Sequence, residues 1–262
     1  MTISTPSIGL TAGMVEFTAS GGVKMPAYRA RPAEPSAFPA AILVIQEIFG
    51  VHEHIRDVCR RLAMAGYYAI APELYIRQGD ASKYSLEQIP QLFADIVSKV
   101  PQEQVLSDLD ACVAYAKNSG EADVARLGIT GFCWGGTITW LYCARNSQVE
   151  AGVAWYGKLN ADATALQPKR PVDIAADLKA PVLGLYGGKD TSIPLSDVEL
   201  MREKLKSAKA SKNKDSRIDV FAEAGHAFLA DYRPSYRQDD AEEGWARMLE
   251  WFHTHMHADA NS

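Results

Sequence analysis

The stretch Gly131-Phe132-Cys133-Trp134-Gly135-Gly136 sets a cysteine in a G-x-C-x-G frame, after an apolar run and before a helical pattern. Glycines at these positions let a chain turn sharply from strand to helix, and the central side chain is then pushed out at the carboxyl edge of a sheet. The helix that follows aims its N-terminus at the same spot, which favours a thiolate or an oxyanion. The plain alternative is a buried cysteine in a glycine-rich turn. Two further residues argue against it. Asp190 in YGGKDTSIP and His226 in AEAGHAF each follow a segment that reads as a strand, and they come in the order nucleophile, acid, base that this turn requires. The imidazole of such a set must reach both the thiol and a carboxylate that fixes its tautomer. Taken singly, Asp190 would pass for a helix cap and His226 for a loop histidine. Together the three spell acyl transfer by a cysteine.

That chemistry needs donors for a developing oxyanion. The backbone N–H of Trp134 supplies one, and the loop after AAILVIQE, near Ile48, is expected to supply the other. Glu47 closes that apolar run with a carboxylate, which is costly to desolvate without a partner. A salt bridge to Arg56 or Arg77 is its structural reading.

The elements that must carry these residues alternate along the chain. AAILVIQE and YYAIAPE (Tyr67–Glu73) read as buried strands with a helix over Ile55–Ala65 between them. Helical patterns follow over Leu86–Lys99 and Gln102–Asn118, then a strand over Arg126–Phe132 and a helix from about Gly135. VEAGVAWYG, APVLGLYGG and SRIDVFAEAG are further strands, and Trp245, Met248, Leu249, Phe252 and Met256 mark the apolar face of a last helix. Strands apolar on both faces indicate a parallel sheet covered by helices, a doubly wound α/β fold. MVEFTA and MPAYRA alternate in polarity and are expected to form an antiparallel hairpin at the sheet edge.

With 262 residues, 47% hydrophobic and 23% charged, the chain fits one domain over residues 1–262, with about 1–12 and 257–262 flexible. A net charge of −5 without a basic run argues against nucleic acid as partner. No apolar run is long enough to span a bilayer, and the N-terminus lacks the pattern of a signal peptide, so a cytoplasmic monomer or small homo-oligomer is expected. Of the other cysteines, Cys59, Cys112 and Cys143 sit on apolar helical stripes and read as core. His253, His255 and His257 alternate and do not share a helical face, and His52 and His54 alternate in the same way. No metal and no cofactor is expected.

The segments QEIFGVHEHIRDV, GYYAIAPELYIRQG, GFCWGG, YGGKD and AGHAF, in this order and spacing, resemble the dienelactone hydrolase (carboxymethylenebutenolidase) family of the α/β-hydrolase fold. The resemblance runs from about residue 40 to 230. It implies a triad of Cys133, Asp190 and His226, with Ile48 and Trp134 at the oxyanion hole. It further implies that Glu47 contacts the resting thiol until substrate displaces it, a neighbouring carboxylate disfavouring free thiolate. Arg77 matches an arginine that binds the substrate's carboxylate, work suited to a guanidinium fork. The family's second such arginine falls at Ala230 here, with Arg233 three residues further on. The implied substrate is a small ester or lactone, anionic or not, cleaved through a thioester. The alternatives are a broader carboxylesterase on the same fold and a non-catalytic ligand-binding member.

Overall fold

The computed structural model describes residues 2–35, 37–208 and 213–256. These fall into two compact units, one over Ser4–Val124 with Ala163–Pro168, the other over Ala125–Asp162 with the described residues up to Ile3 and from Lys169 onward.

In the first unit, β1 (Leu10–Thr18) and β2 (Lys24–Pro32) form the expected antiparallel hairpin, with Phe17 opposite Met25 and Met14 opposite Tyr28. β2 runs antiparallel to β4 (Tyr68–Pro72), and β4 parallel to β3 (Ala40–Ile45), giving the order β1-β2-β4-β3. Every residue of β3 and β4 is buried, as their unbroken apolar sequence requires. α1 (Glu53–Met64) packs on the Tyr28 side, where Arg60 Nη1 donates to the Tyr28 hydroxyl at 3.2 Å. α3 (Gln102–Ser119) takes the other face, its Tyr115 stacked on Phe17 with ring centroids 5.6 Å apart. Alternation along β1 puts Met14 and Phe17 on opposite faces, so helices cover both.

The stretch read as one helix over Leu86–Lys99 is broken. Ser85 starts a short 3₁₀ turn over Leu86–Gln88, Pro90 sits in the first turn of a separate α2 (Ile89–Asp95), and a further 3₁₀ turn follows over Val97–Lys99. Proline, lacking an N–H, starts a helix readily but cannot sit inside one. The chain start is also more ordered than its polarity suggests. Leu10, Thr11 and Ala12, within the stretch expected to be flexible, pair with Pro32, Arg31 and Ala30. Residues 257–262, the other stretch expected to be flexible, lie outside the described residues.

The second unit has four parallel strands in chain order: β5 (Asp123–Phe132), β6 (Val149–Trp155), β7 (Val182–Gly187) and β8 (Arg217–Phe221). Between and after them come α4 (Trp134–Arg145), the short α5 (Pro171–Ile174), α6 (Leu195–Ser207) and α7 (Gln238–Met256). α4 and α7 lie on opposite faces. A Cβ on Gly152 would come 2.6 Å from Cys143 Sγ of α4, whereas one on Gly128 would meet Met256 Sδ of α7 at the same distance. Gly152 pairs with Ile129, the neighbour of Gly128, so the two glycines face opposite ways. Met248, Trp251, Phe252 and Met256 of α7 are buried, and each contributes about 1.5–3 kcal/mol of hydrophobic stabilisation. Cys59, Cys112 and Cys143 are core residues, and burial pushes their thiols well above the ordinary range. The architecture is a mostly parallel α/β sheet with an antiparallel N-terminal hairpin.

Candidate active site

Cys133 stands at the junction of β5 and α4 with φ 54° and ψ −115°, a conformation an L residue adopts only under strain of about 1–3 kcal/mol. The flanking glycines make this turn possible. A Cβ at Gly131 would lie 2.2 Å from the Gly135 carbonyl oxygen, and one at Gly136 would lie 2.5 Å from that of Trp155. Strand and helix are thus pressed together where no side chain fits. The Cys133 N–H donates to the Trp155 carbonyl at 3.0 Å, and its own carbonyl accepts from the Gly136 N–H at 3.0 Å, which opens α4. The thiol makes no capping bond to the helix, so it is left for other partners.

Those partners come from the ends of β7 and β8. His226 Nε2 lies 3.2 Å from Cys133 Sγ, and His226 Nδ1 lies 2.7 Å from Asp190 Oδ2. The other oxygen of Asp190 accepts the Ser192 N–H at 2.8 Å, so both its oxygens are engaged and its side chain is fully buried. Backbone bonds tie the two loops to each other: Gly188 N–H donates to Phe221 O and Lys189 N–H to Ala224 O, both at 2.8 Å. The acid and the base are therefore spaced by the sheet itself. Burial draws the pKa of His226 down, but hydrogen bonds to Asp190 and Cys133 and the charges on both outweigh it and push it up to about 10. The imidazolium form is the one that pairs with a thiolate.

A residue that sequence reasoning missed supports this ring. Tyr156, directly after β6, is fully buried at φ 38° and meets His226 edge-on, with centroids 5.4 Å apart at 64°. Its signal was position: it ends a strand adjacent to β5, and parallel neighbours deliver their ends to one edge. The loop it begins is fixed by a buried chain in which Trp140 Nε1 donates to the Tyr186 hydroxyl at 3.1 Å and that hydroxyl donates to the Gly157 carbonyl at 2.8 Å.

The remaining expected residues lie in the first unit, apart from Arg233 and Trp134, the first residue of α4. Glu47 is fully buried just past β3, where a backbone bridge to Gly50 turns the chain, and Ile48 is buried inside that turn. Neither Arg56 nor Arg77 forms a salt bridge with Glu47 among the described residues. His52 Nε2 sits 3.5 Å from Glu47 Oε2. Arg77 is clasped on the buried Asp108, with Nη1 2.6 Å from Oδ2 and Nη2 3.0 Å from Oδ1, and it also donates to the Ser20 carbonyl at 2.5 Å. Arg233 donates through Nε to the Tyr232 hydroxyl at 3.1 Å. Among the described residues, no three His, Cys, Asp or Glu side chains converge as a metal site requires, and no helix is long and apolar enough to cross a membrane. His257 lies outside the described residues.

Residues 25–256 match the model of the dienelactone hydrolase family. The chain belongs to that family. Membership makes it a hydrolase, and the relatives agree. A protein of Methylorubrum extorquens, provisionally named a carboxymethylenebutenolidase, is 61% identical over 251 residues, which cover 96% of this chain and 84% of the relative. A Bradyrhizobium protein, provisionally named a 2-oxo-3-(5-oxofuran-2-ylidene)propanoate lactonase, is 32% identical over 231 residues, 88% of this chain and 89% of its own. The crystal structure of a Klebsiella pneumoniae protein, provisionally described as a dienelactone hydrolase, superposes with a TM-score of 0.89 at 55% identity, over 94% of this chain and 99% of that one. The family's α/β-hydrolase fold accordingly holds for the present chain.

Proposed function

We propose that the chain cleaves a small ester or enol-lactone through a thioester on Cys133. The observation that carries this reading is the line Cys133–His226–Asp190, closed at 3.2 and 2.7 Å on a strained elbow. Sγ, its proton already passed to His226, attacks the carbonyl carbon, and the oxyanion is held by the N–H groups of Trp134 and Ile48. The C–O bond then breaks, the departing alkoxide or enolate recovers the proton from His226, and water activated by His226 hydrolyses the thioester. A thiolate displaces good leaving groups, which favours enol-lactones and activated esters over amides. In this scheme Glu47 restrains the thiol until substrate arrives. Here Glu47 Oε2 lies 3.5 Å from His52 Nε2 and Cys133 engages His226, which is the released state of that scheme.

The name of the Bradyrhizobium relative favours a lactone, and the family position of Arg77 favours one bearing a carboxylate. A second reading, a broader carboxylesterase, is favoured by the clasp of Arg77 on Asp108 and by Ala230 in place of an arginine. The decisive experiment quenches the enzyme in acid during turnover of an activated ester and maps the acyl mass. The adduct is expected on Cys133, and Cys133→Ala is expected to lose the adduct and at least about 10³-fold in kcat/KM. An acyl group on another residue, or a Cys133→Ala variant that retains its rate, removes the reading.

A further inference from the structure

A cavity of about 490 Å³ opens within the first unit, between the loop after β3, the first turn of α1 and the loop after β4. Its size is that of a small-molecule site. Met14, Phe49 and Ile76 give it an apolar wall, and Arg56, Glu73 and Asp80 bring charges to it. Two of those charges are already answered. Asp80 is largely exposed and engaged locally, its Oδ1 accepting the Ser82 N–H at 3.0 Å and the Ser82 hydroxyl at 2.5 Å, with Lys83 3.6 Å from Oδ2. Glu73 Oε2 accepts the Val51 N–H at 3.2 Å; burial raises its pKa, while that bond and the nearby charge of Arg56 act to lower it.

Arg56 is unlike them. Its Nε donates to the Val51 carbonyl at 3.0 Å, and its guanidinium lies over the Tyr28 ring, 5.9 Å from the centroid. Among the described residues, no hydrogen bond or ion pair engages its two terminal nitrogens. The carbonyl and the ring hold the plane of the group, and the edge that recognises a carboxylate stays open. Arg77 shows the opposite state, with both terminal nitrogens closed on Asp108.

We propose that this cavity is a subsite for an organic acid, with Arg56 gripping the carboxylate and the apolar wall holding the carbon chain. The wall includes His52, whose ring contacts Glu47, so the subsite adjoins the carboxylate that the proposed mechanism sets against the thiol. The inference rests on that mechanism for its place beside the reaction, but not for binding. It assigns the carboxylate of an anionic ester or lactone to Arg56.

Calorimetry with hexanedioate, which cannot be hydrolysed, tests the binding in native protein and in Arg56→Gln and Arg56→Lys variants. Because no bond is broken, the result stands whether or not Cys133 forms a thioester. The native chain is expected to bind the diacid, Arg56→Gln to weaken it at least 10-fold, and Arg56→Lys, which keeps the charge but not the fork, to fall between. In parallel, the ratio of kcat/KM for a carboxylate-bearing ester to that for its methyl-capped counterpart is expected to drop at least 10-fold in Arg56→Gln. A native chain that does not bind hexanedioate overturns the proposal. So does a variant lacking the guanidinium, in either substitution, that binds it as tightly as the native chain.

Discussion

The two units handle backbone strain in opposite ways. In the first, every described residue at positive φ is a glycine: Gly9, Gly21, Gly22, Gly50, Gly66, Gly79 and Gly120. In the second, every one carries a side chain: Cys133, Tyr156 and Ala227. Glycine reaches that region without steric penalty, so turns in the first unit are relaxed. The three residues of the second unit are held there at about 1–3 kcal/mol each, and they are the proposed nucleophile, the residue packed on the histidine, and the residue after the histidine. Strain gathers where side chains must be aimed, and glycine serves where the chain merely turns.

The comparison can be broken in three places. The largest effect is expected from Asp190→Asn. An amide nitrogen cannot accept the Nδ1 proton, so the ring turns to the wrong tautomer and kcat/KM falls by about 10³- to 10⁴-fold. A loss below 10-fold in steady-state assays would remove Asp190 from the reaction. Next comes the strain itself. Cys133→Gly is expected to exceed Cys133→Ala in urea-unfolding stability by about 1 kcal/mol, since glycine relieves the backbone. Gly50→Ala should instead destabilise by a similar amount, because φ is 77° there and the new methyl would lie 3.1 Å from Glu73 Oε2. Equal stability within either pair dissolves the contrast.

The smallest effect concerns pH. His226 has its pKa raised from an ordinary 6.5 to about 10 in the folded chain, so the stabilisation from its imidazolium is full below 6.5 and disappears as pH rises through 10. The melting temperature of the native chain should therefore exceed that of His226→Gln most at pH 6.5 and just below, and the gap should close by pH 10. A gap that widens with pH would show that the ring is stabilised uncharged.

Much of this was legible in the sequence. Cys133, Asp190 and His226 each follow a legible strand, and parallel strands bring their carboxyl ends to one edge, so linear order became spatial proximity. The strands were legible, although β3 stops at Ile45, short of Glu47, because the Glu47–Gly50 bridge turns the chain. Partnerships fixed by loops and by distant helices were not. His52 reaches Glu47 only through the turn that β3 enters, and Asp108 meets Arg77 from within α3, 31 residues further on. Neither pairing leaves a periodic trace. Nor did alternating histidines hint that one of them would face a buried carboxylate.

The distribution of sulfur has a practical side. Three of the four cysteines are sealed in the interior with their protons held tightly, while Cys133 is partly open to solvent on its bent backbone. A thiol-directed label applied to the native enzyme therefore finds one sulfur per chain, and the molar ratio of label to protein counts the competent molecules in any preparation.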